Sequence, residues 1–301
     1  MAPVSTIDLH LHTTYSDGKS SPAELLRYAA EIGLEAVAIC DHDNANGVRV
    51  ALPAARKLGI ELVPAVEFNC DWPGYKLASG FADIHVLGYF VDVDDPALQA
   101  FEQAAVKDFE RRVGDCCAAL QAAGYAVSLD EAFAENPHYA GLLHLMLVVQ
   151  KKGYADDWAE AWRLVNTYWL QGRLSRFTVE QVIETVHRAG GVAVLAHPTL
   201  VRCSDDYLQA ERLAQLVKMG LDGLEIYHPR LDEKARAHFL ALANQFDLLV
   251  TGGSDEHGWF TGLKRMGSEP VTAEVLESLR TRHLERTRKT SHRALEGKDA
   301  G

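Results

Sequence analysis

A chain of 301 residues with 48% hydrophobic and 24% charged side chains has the make-up of one large or two unequal globular domains, which excludes a disordered or fibrous chain. Its formal net charge of −12 argues against a stable nucleic-acid complex, because phosphate contacts rest on Lys and Arg; an anionic substrate then needs a local positive centre. The longest apolar run, Leu142–Val149, already contains His144 and falls far short of the ~18 residues of a membrane span. The first ten residues lack the basic-then-apolar order of a secretory leader, so the cytoplasm is the expected compartment. Cys40, Cys70, Cys116, Cys117 and Cys203 form no CxxC pair and read as buried thiols, not as a disulfide framework or a thiolate zinc site.

In chain order, Ile7–His12 is short and alternating, a strand. Ser21-Pro22 opens a helix that Gly33 ends, with Ser as N-cap and Pro in the first turn. A strand at Glu35–Cys40, a helix at Asn46–Leu58 closed by Gly59, and strands at Ile60–Phe68 and Ile84–Phe90 follow. From Asp95 to Gly172 the pattern is helical, with no convincing strand. Alternation then resumes: helices at Thr178–Arg188, Tyr207–Met219 and Asp232–Gln245 separate strands at Gly191–Ala196, Leu221–Tyr227 and Leu248–Gly252. Repeated strand–helix units predict an α/β fold with a mainly parallel sheet, whose strands could close into a barrel. The expected division is a barrel in two parts, 1–94 and 173–279, around a helical insertion at 95–172, with a basic tail at 280–301.

Ionisable residues gather at the predicted strand ends. His10 and His12 are two apart on a strand, so both point to one side. A lone strand histidine is usually packed in a core; two on one face, followed by Asp17, make a donor set suited to zinc, manganese or iron. Asp41-His42-Asp43 ends the second strand, Glu67 follows Val63-Pro64-Ala65-Val66, and His85 lies within Ile84–Leu87. His197 follows Val192–Ala196, and Asp255 and His257 follow the last strand. In parallel βα barrels the C-terminal strand ends converge on one face, where the active site is built. His187, His238, His283 and His292 fall among charged neighbours on helices, His138 falls in a Pro-containing loop, and His228 directly follows a strand end.

These segments carry a resemblance. Ile7-Asp8-Leu9-His10-Leu11-His12-Thr13-Thr14-Tyr15-Ser16-Asp17-Gly18 resembles the first motif of the PHP (polymerase and histidinol phosphatase) superfamily, and Asp41-His42-Asp43 its second. Ala65-Val66-Glu67, Ile84-His85-Val86-Leu87-Gly88, Ala196-His197-Pro198 and Gly253-Ser254-Asp255-Glu256-His257 are similar to later ones, in the family's order. The chain looks most like the stand-alone bacterial phosphoesterases of that family. These include 3′,5′-nucleotide bisphosphate phosphatases, 5′–3′ exonucleases acting on short RNA or DNA, and a cyclic-phosphate diesterase. The resemblance implies a distorted (β/α)7 barrel with a helical insertion, and two or three divalent metal ions (Mn, Zn or Fe).

By motif match, His10, His12, Glu67 and Asp255 would hold the first ion; Glu67 would bridge to a second, held also by His85 and His144; Asp17, His42 and His257 would hold a third. His197 would face the same centre, and Asp255, His197 and Glu67 would carry the catalysis. The reaction implied is hydrolysis of a phosphate ester of a nucleotide or short oligonucleotide, with a small phosphorylated partner and no membrane. Two positions depart from the family. Leu142 stands where an Arg is expected, in Gly141-Leu142-Leu143-His144-Leu145, and Leu231 where a His is common, in Tyr227-His228-Pro229-Arg230-Leu231. Arg202, Arg230, His228, Lys264 or Lys76 would then meet the phosphate, and a cyclic or diester substrate becomes an alternative. An amidohydrolase-like reaction on a non-phosphate substrate and a silent metal-binding module are the remaining alternatives.

Overall fold

The computed structural model describes residues 5–73, 83–169, 175–201, 207–259 and 262–296. Seven strands lie side by side in chain order: β1 (Ile7–Leu11), β2 (Ala36–Ile39), β3 (Glu61–Cys70), β4 (Ile84–Tyr89), β5 (Val192–Leu195), β6 (Gly223–Tyr227) and β7 (Leu249–Gly252). The sheet is curled. Its first and last strands approach at one end, where Leu11 bridges to Glu256 and the His12 N–H donates to the Glu256 carbonyl at 3.2 Å. All neighbours are parallel except β4, which runs antiparallel to both β3 and β5. Residue alternation records which face a side chain takes, not which way the strand runs, so the periodicity that located β4 could not orient it.

The helices between strands are built as their ends suggest. In α1 (Pro22–Glu31) Ser21 and Glu24 form a capping box, and α2 (Asn46–Leu58) stops at Gly59, whose φ of 71° suits a residue without Cβ. Four helices follow β4 without an intervening strand: α3 (Pro96–Ala122), α4 (Leu129–Glu135), α5 (Leu142–Lys151) and α6 (Trp158–Trp169). Next come α7 (Val179–Arg188), α8 (Ala210–Met219), α9 (Glu233–Phe246) and α10 (Ala273–Glu296).

The sheet is apolar on both faces. Along β2, Ala36 and Ala38 face one apolar cluster, and Val37 and Ile39 the other; along β5, Val192 and Val194 are separated from Ala193 and Leu195 in the same way. This is why these strands read as unbroken hydrophobic runs. A third cluster, including Val113, Leu120, Leu145, Val149, Val165 and Trp169, belongs to α3–α6 alone. The first half of α3 packs Leu98 and Ala105 into the sheet's cluster, and its second half packs Phe109 and Val113 into the helical one. One continuous helix therefore fixes the helical segment to the sheet.

The boundary expected at residue 280 falls inside α10. Arg282 and Arg286 pair with the buried Asp222, which also accepts from His187 on α7 at 2.9 Å, and Arg280 pairs with Glu61 at 2.7 Å. Three arginines of the expected basic tail are thus paired with carboxylates.

Candidate metal centre

Strand ends deliver the polar residues. His10 lies on β1, Glu67 on β3 and His85 on β4, while His12, His42, His197, Asp255 and His257 leave the ends of β1, β2, β5 and β7. Asp43, His197 and Asp255 have φ values of 60°, 27° and 50°, a region that costs non-glycine residues about 1–3 kcal/mol each and collects at functional sites. A Cβ at Gly253 would run into the His10 main chain, so only glycine lets the segment after β7 close on β1.

Four donors meet first. His10 Nε2 lies 3.1 Å from His12 Nε2 and 3.1 Å from Glu67 Oε2, and Asp255 Oδ1 is 3.3 Å from His12 Nε2 and 3.6 Å from His10 Nε2. Glu67 turns its other oxygen, Oε1, to His85 Nδ1 and His197 Nε2, both at 3.0 Å. A third group joins Asp17 Oδ1 to His257 Nε2 at 3.2 Å and Asp17 Oδ2 to His42 Nε2 at 3.9 Å. His42 Nδ1 also stands 3.5 Å from Glu67 Oε2.

Hydrogen bonds behind the ring decide where each imidazole keeps its proton. His10 Nδ1–H donates to Glu225 Oε1 at 2.7 Å. His12 Nδ1–H donates to Ser16 Oγ at 3.3 Å, and that hydroxyl donates to Asp41 at 2.7 Å. His257 Nδ1–H donates to the Asp255 carbonyl at 2.9 Å. In the neutral ring the forward nitrogen then carries a lone pair, so neutral His10 and His12 would face each other lone pair to lone pair, and neutral His257 would face a carboxylate oxygen. Asp17 Oδ1 and His42 Nδ1 are buried without a hydrogen-bond partner. Such contacts repel unless a cation lies between them. Tetrahedral ligands at ~2.0–2.2 Å from an ion stand about 3.3–3.6 Å apart; the first group's distances of 3.1–3.6 Å lie at or a little inside that spacing, so the residues fit divalent metals.

The surrounding carboxylates favour positive charge at this point. Burial opposes charging His10 and His12, yet the carboxylates of Glu225, Glu67, Asp255 and Asp17 outweigh it, lifting His10 well above its ordinary range and His12 to about 10, so without an ion each ring holds a second proton, the charge that a cation would supply in its place. Burial likewise opposes ionising Glu67 and Asp255, but the surrounding histidines hold both well below the usual carboxylate range. Burial pushes His42 down to about 3, against the pull of Glu67 and Asp17, which keeps its ring neutral.

His144 stands apart from these groups: its Nδ1 accepts the Gly141 N–H at 2.9 Å, its Nε2 is buried without a hydrogen-bond partner, and it joins no donor group among the described residues. His197 stands beside Glu67 and His85. His228 accepts the Arg230 N–H on Nδ1 and donates from Nε2 to Asp255 Oδ2 at 3.3 Å, so it orients that carboxylate. Arg230 lines the cavity and is exposed. Lys264 is exposed and does not line it, whereas its neighbour Arg265 does. Arg202 and Lys76 lie outside the described residues. Leu231 packs in the main core, away from the centre.

Residue-by-residue reading missed Glu225. It accepts both His10 Nδ1–H and the His197 backbone N–H; its signal was a lone acid within the apolar strand Gly223-Leu224-Glu225-Ile226-Tyr227. It also missed Asn136, whose Nδ2 donates to the carbonyls of Thr14 and Ser16 at 2.9 and 2.8 Å, tying the end of α4 to the loop that carries Asp17.

The donors floor a cavity of about 680 Å³. Its opposite wall comes from the helical segment, with Leu142, Leu143 and Met146 on α5 and Trp158 and Trp162 on α6.

With this geometry, the matches to known proteins take on chemical meaning. The PHP domain profile matches residues 8–227. A 5′-3′ exoribonuclease of Haemophilus influenzae is 31% identical over 84% of this chain and 91% of its own. A phosphoribosyl 1,2-cyclic phosphate 1,2-diphosphodiesterase of Eggerthella lenta is 31% identical over 86% of this chain and 97% of its own. Among solved structures, a protein of Bifidobacterium adolescentis proposed to be a metal-dependent phosphoesterase superposes with a TM-score of 0.80 at 25% identity, covering 94% of this chain and 98% of that one. The chain belongs to the PHP domain family of metal-dependent phosphoesterases.

Proposed function

We propose that this protein hydrolyses a phosphate ester of a nucleotide or short oligonucleotide at two or three divalent ions (Mn, Zn or Fe). The observation that carries the reading is Glu67: one oxygen faces the His10–His12 pair and the other faces His85 and His197. One carboxylate thus serves two donor groups. The exoribonuclease and cyclic-phosphate relatives support the substrate class. The family's distorted (β/α)7 barrel, with residues 95–172 as a helical insertion between 1–94 and 173–279, is the architecture we infer, supported by the curled sheet and by the separate apolar cluster of α3–α6.

His10, His12, Glu67 and Asp255 would hold the first ion, Glu67, His85 and His197 the second, and Asp17, His42 and His257 the third. When bound, such ions supply Lewis acidity toward phosphoryl oxygens and lower the pKa of coordinated water from ~15.7 toward ~7. The chain's own residues do the rest. Glu225 and the Ser16–Asp41 pair hold the His10 and His12 lone pairs forward. Arg230 and Arg265, on the cavity lining, offer guanidinium donors to non-bridging phosphate oxygens. Asp255, held by His228 Nε2–H on Oδ2, starts as a carboxylate; it is assigned to take the proton that the attacking water gives up and to pass it to the leaving oxygen.

A diester or cyclic phosphate is the second reading, favoured by Leu142 on the lining, an apolar side chain that offers nothing to an extra phosphate charge. The test is Glu67→Gln, assayed by metal analysis and by release from a panel of nucleotide mono-, bis- and cyclic phosphates and short RNA with Mn²⁺. Metal content and hydrolysis should fall together; full turnover in this variant would contradict the bridging role.

A further inference from the structure

Resting on the reading of the centre as a phosphate-ester hydrolase, we propose that the helical wall of the cavity is the seat of the substrate's nucleobase, and that no second phosphate docks against it. Leu142, Leu143, Trp158 and Trp162 line the cavity and are only half-buried. All four pack on the helical cluster from its edge, while Leu145 and Val149 of the same cluster are buried and do not line the cavity, and the buried Trp169 adds a third indole to its lining. Large apolar side chains left partly bare on a concave surface, opposite a polar centre, form a ligand-binding wall rather than unfinished core.

The composition of the wall selects its occupant. Indole faces stack nucleobases at ~1–3 kcal/mol per base, with little dependence on which base it is. Among the described residues the arginines lining the cavity are Arg230 and Arg265, from the segments that follow β6 and β7, and α5 and α6 contribute no Lys or Arg to the lining. A phosphate pressed against Leu142 would lose its water with no partner in return. The reacting phosphorus therefore sits over the donor floor and the flat ring over Trp158 and Trp162. A substrate with one phosphate group fits this division, whether monoester, diester or cyclic.

The test uses the full chain loaded with Mn²⁺ and the variants Trp158→Leu and Trp162→Leu, which stay apolar and so preserve the packing. KM for adenosine 5′-monophosphate should rise about ten-fold more than KM for glycerol 3-phosphate, the equivalent of one stacked base. Unphosphorylated adenosine should quench the intrinsic tryptophan fluorescence of the parent protein, and this quench should be lost in the variants. Leu142→Arg should shift preference toward adenosine 3′,5′-bisphosphate over the monophosphate by about ten-fold, as one new ion pair in a shielded site allows. Equal KM shifts for both esters, or no quench by adenosine, would overturn the proposal. Quenching without hydrolysis of any phosphate ester would support the base seat and refute the assigned reaction instead.

Discussion

Replacing Glu225 by Gln removes a carboxylate that touches no substrate and still should weaken metal binding. Glu225 accepts His10 Nδ1–H at 2.7 Å and the His197 backbone N–H at 2.8 Å, entirely within the protein. A glutamine fills the same volume but presents one acceptor oxygen and one donor NH2, so one of those two N–H groups must face another donor. Losing a hydrogen bond to a charged group costs ~1.5–3 kcal/mol. Removing the partner behind a metal-binding histidine typically costs ~10–100-fold in affinity. At 1.4 kcal/mol per ten-fold these ranges overlap, and a ~30-fold weaker Mn²⁺ affinity, ~2 kcal/mol, is expected. Metal-stripped protein titrated with Mn²⁺ against a competing fluorescent chelator measures it. The group formed by Asp17, His42 and His257 does not use Glu225 and should be affected least. Parental affinity at every site would refute the argument that His10 is held forward by its rear hydrogen bond.

Two further outcomes follow. His197→Ala should lower Mn²⁺ content at the Glu67–His85 group, with affinity there falling by more than about ten-fold, while His144→Ala should keep the parental content, both read by elemental analysis; the reverse pattern would restore His144 to the ligand set. Asp222→Asn should destabilise the fold by about 2 kcal/mol at neutral pH, less than a fully buried pair because Arg282 and Arg286 are partly solvated. Burial works against the Asp222 carboxylate, but His187 and Arg286 hold it below its ordinary 3.8. Its contribution is therefore complete above that value and fades as pH falls through the lowered one. Denaturant midpoints of the two proteins should converge only below about pH 4; a gap that persists in acid would show that the loss is one of packing.

The donor set was legible where a polar residue breaks an apolar strand. His10, Glu67 and Asp255 each interrupt or follow a hydrophobic run, and a curled sheet gathers such positions at one end. Glu225 obeys the same rule, although it belongs to none of the family-like motifs. His144 shows the limit of spacing: its neighbours fit a family pattern, but spacing says nothing of a ring's tautomer, on which the Gly141 N–H bears. The antiparallel course of β4 was hidden because alternation is identical in both directions. Arg282 and Arg286 looked like a solvated face because their partner, Asp222, lies some 60 residues upstream, and charge patterns along a helix reveal only neighbours one turn away.

The seam between Leu11 and Glu256 has a consequence for biosynthesis. On the proposed assignment, His10 and His12, the earliest-made residues of the first group, would share its ion with Asp255, almost the last one made. The Glu67–His85–His197 group is complete by residue 197, but the first group gains its fourth donor only once translation has passed Asp255. Truncation upstream of the seam should therefore yield a chain that cannot retain that first ion, so its capture would report that synthesis reached the final strand.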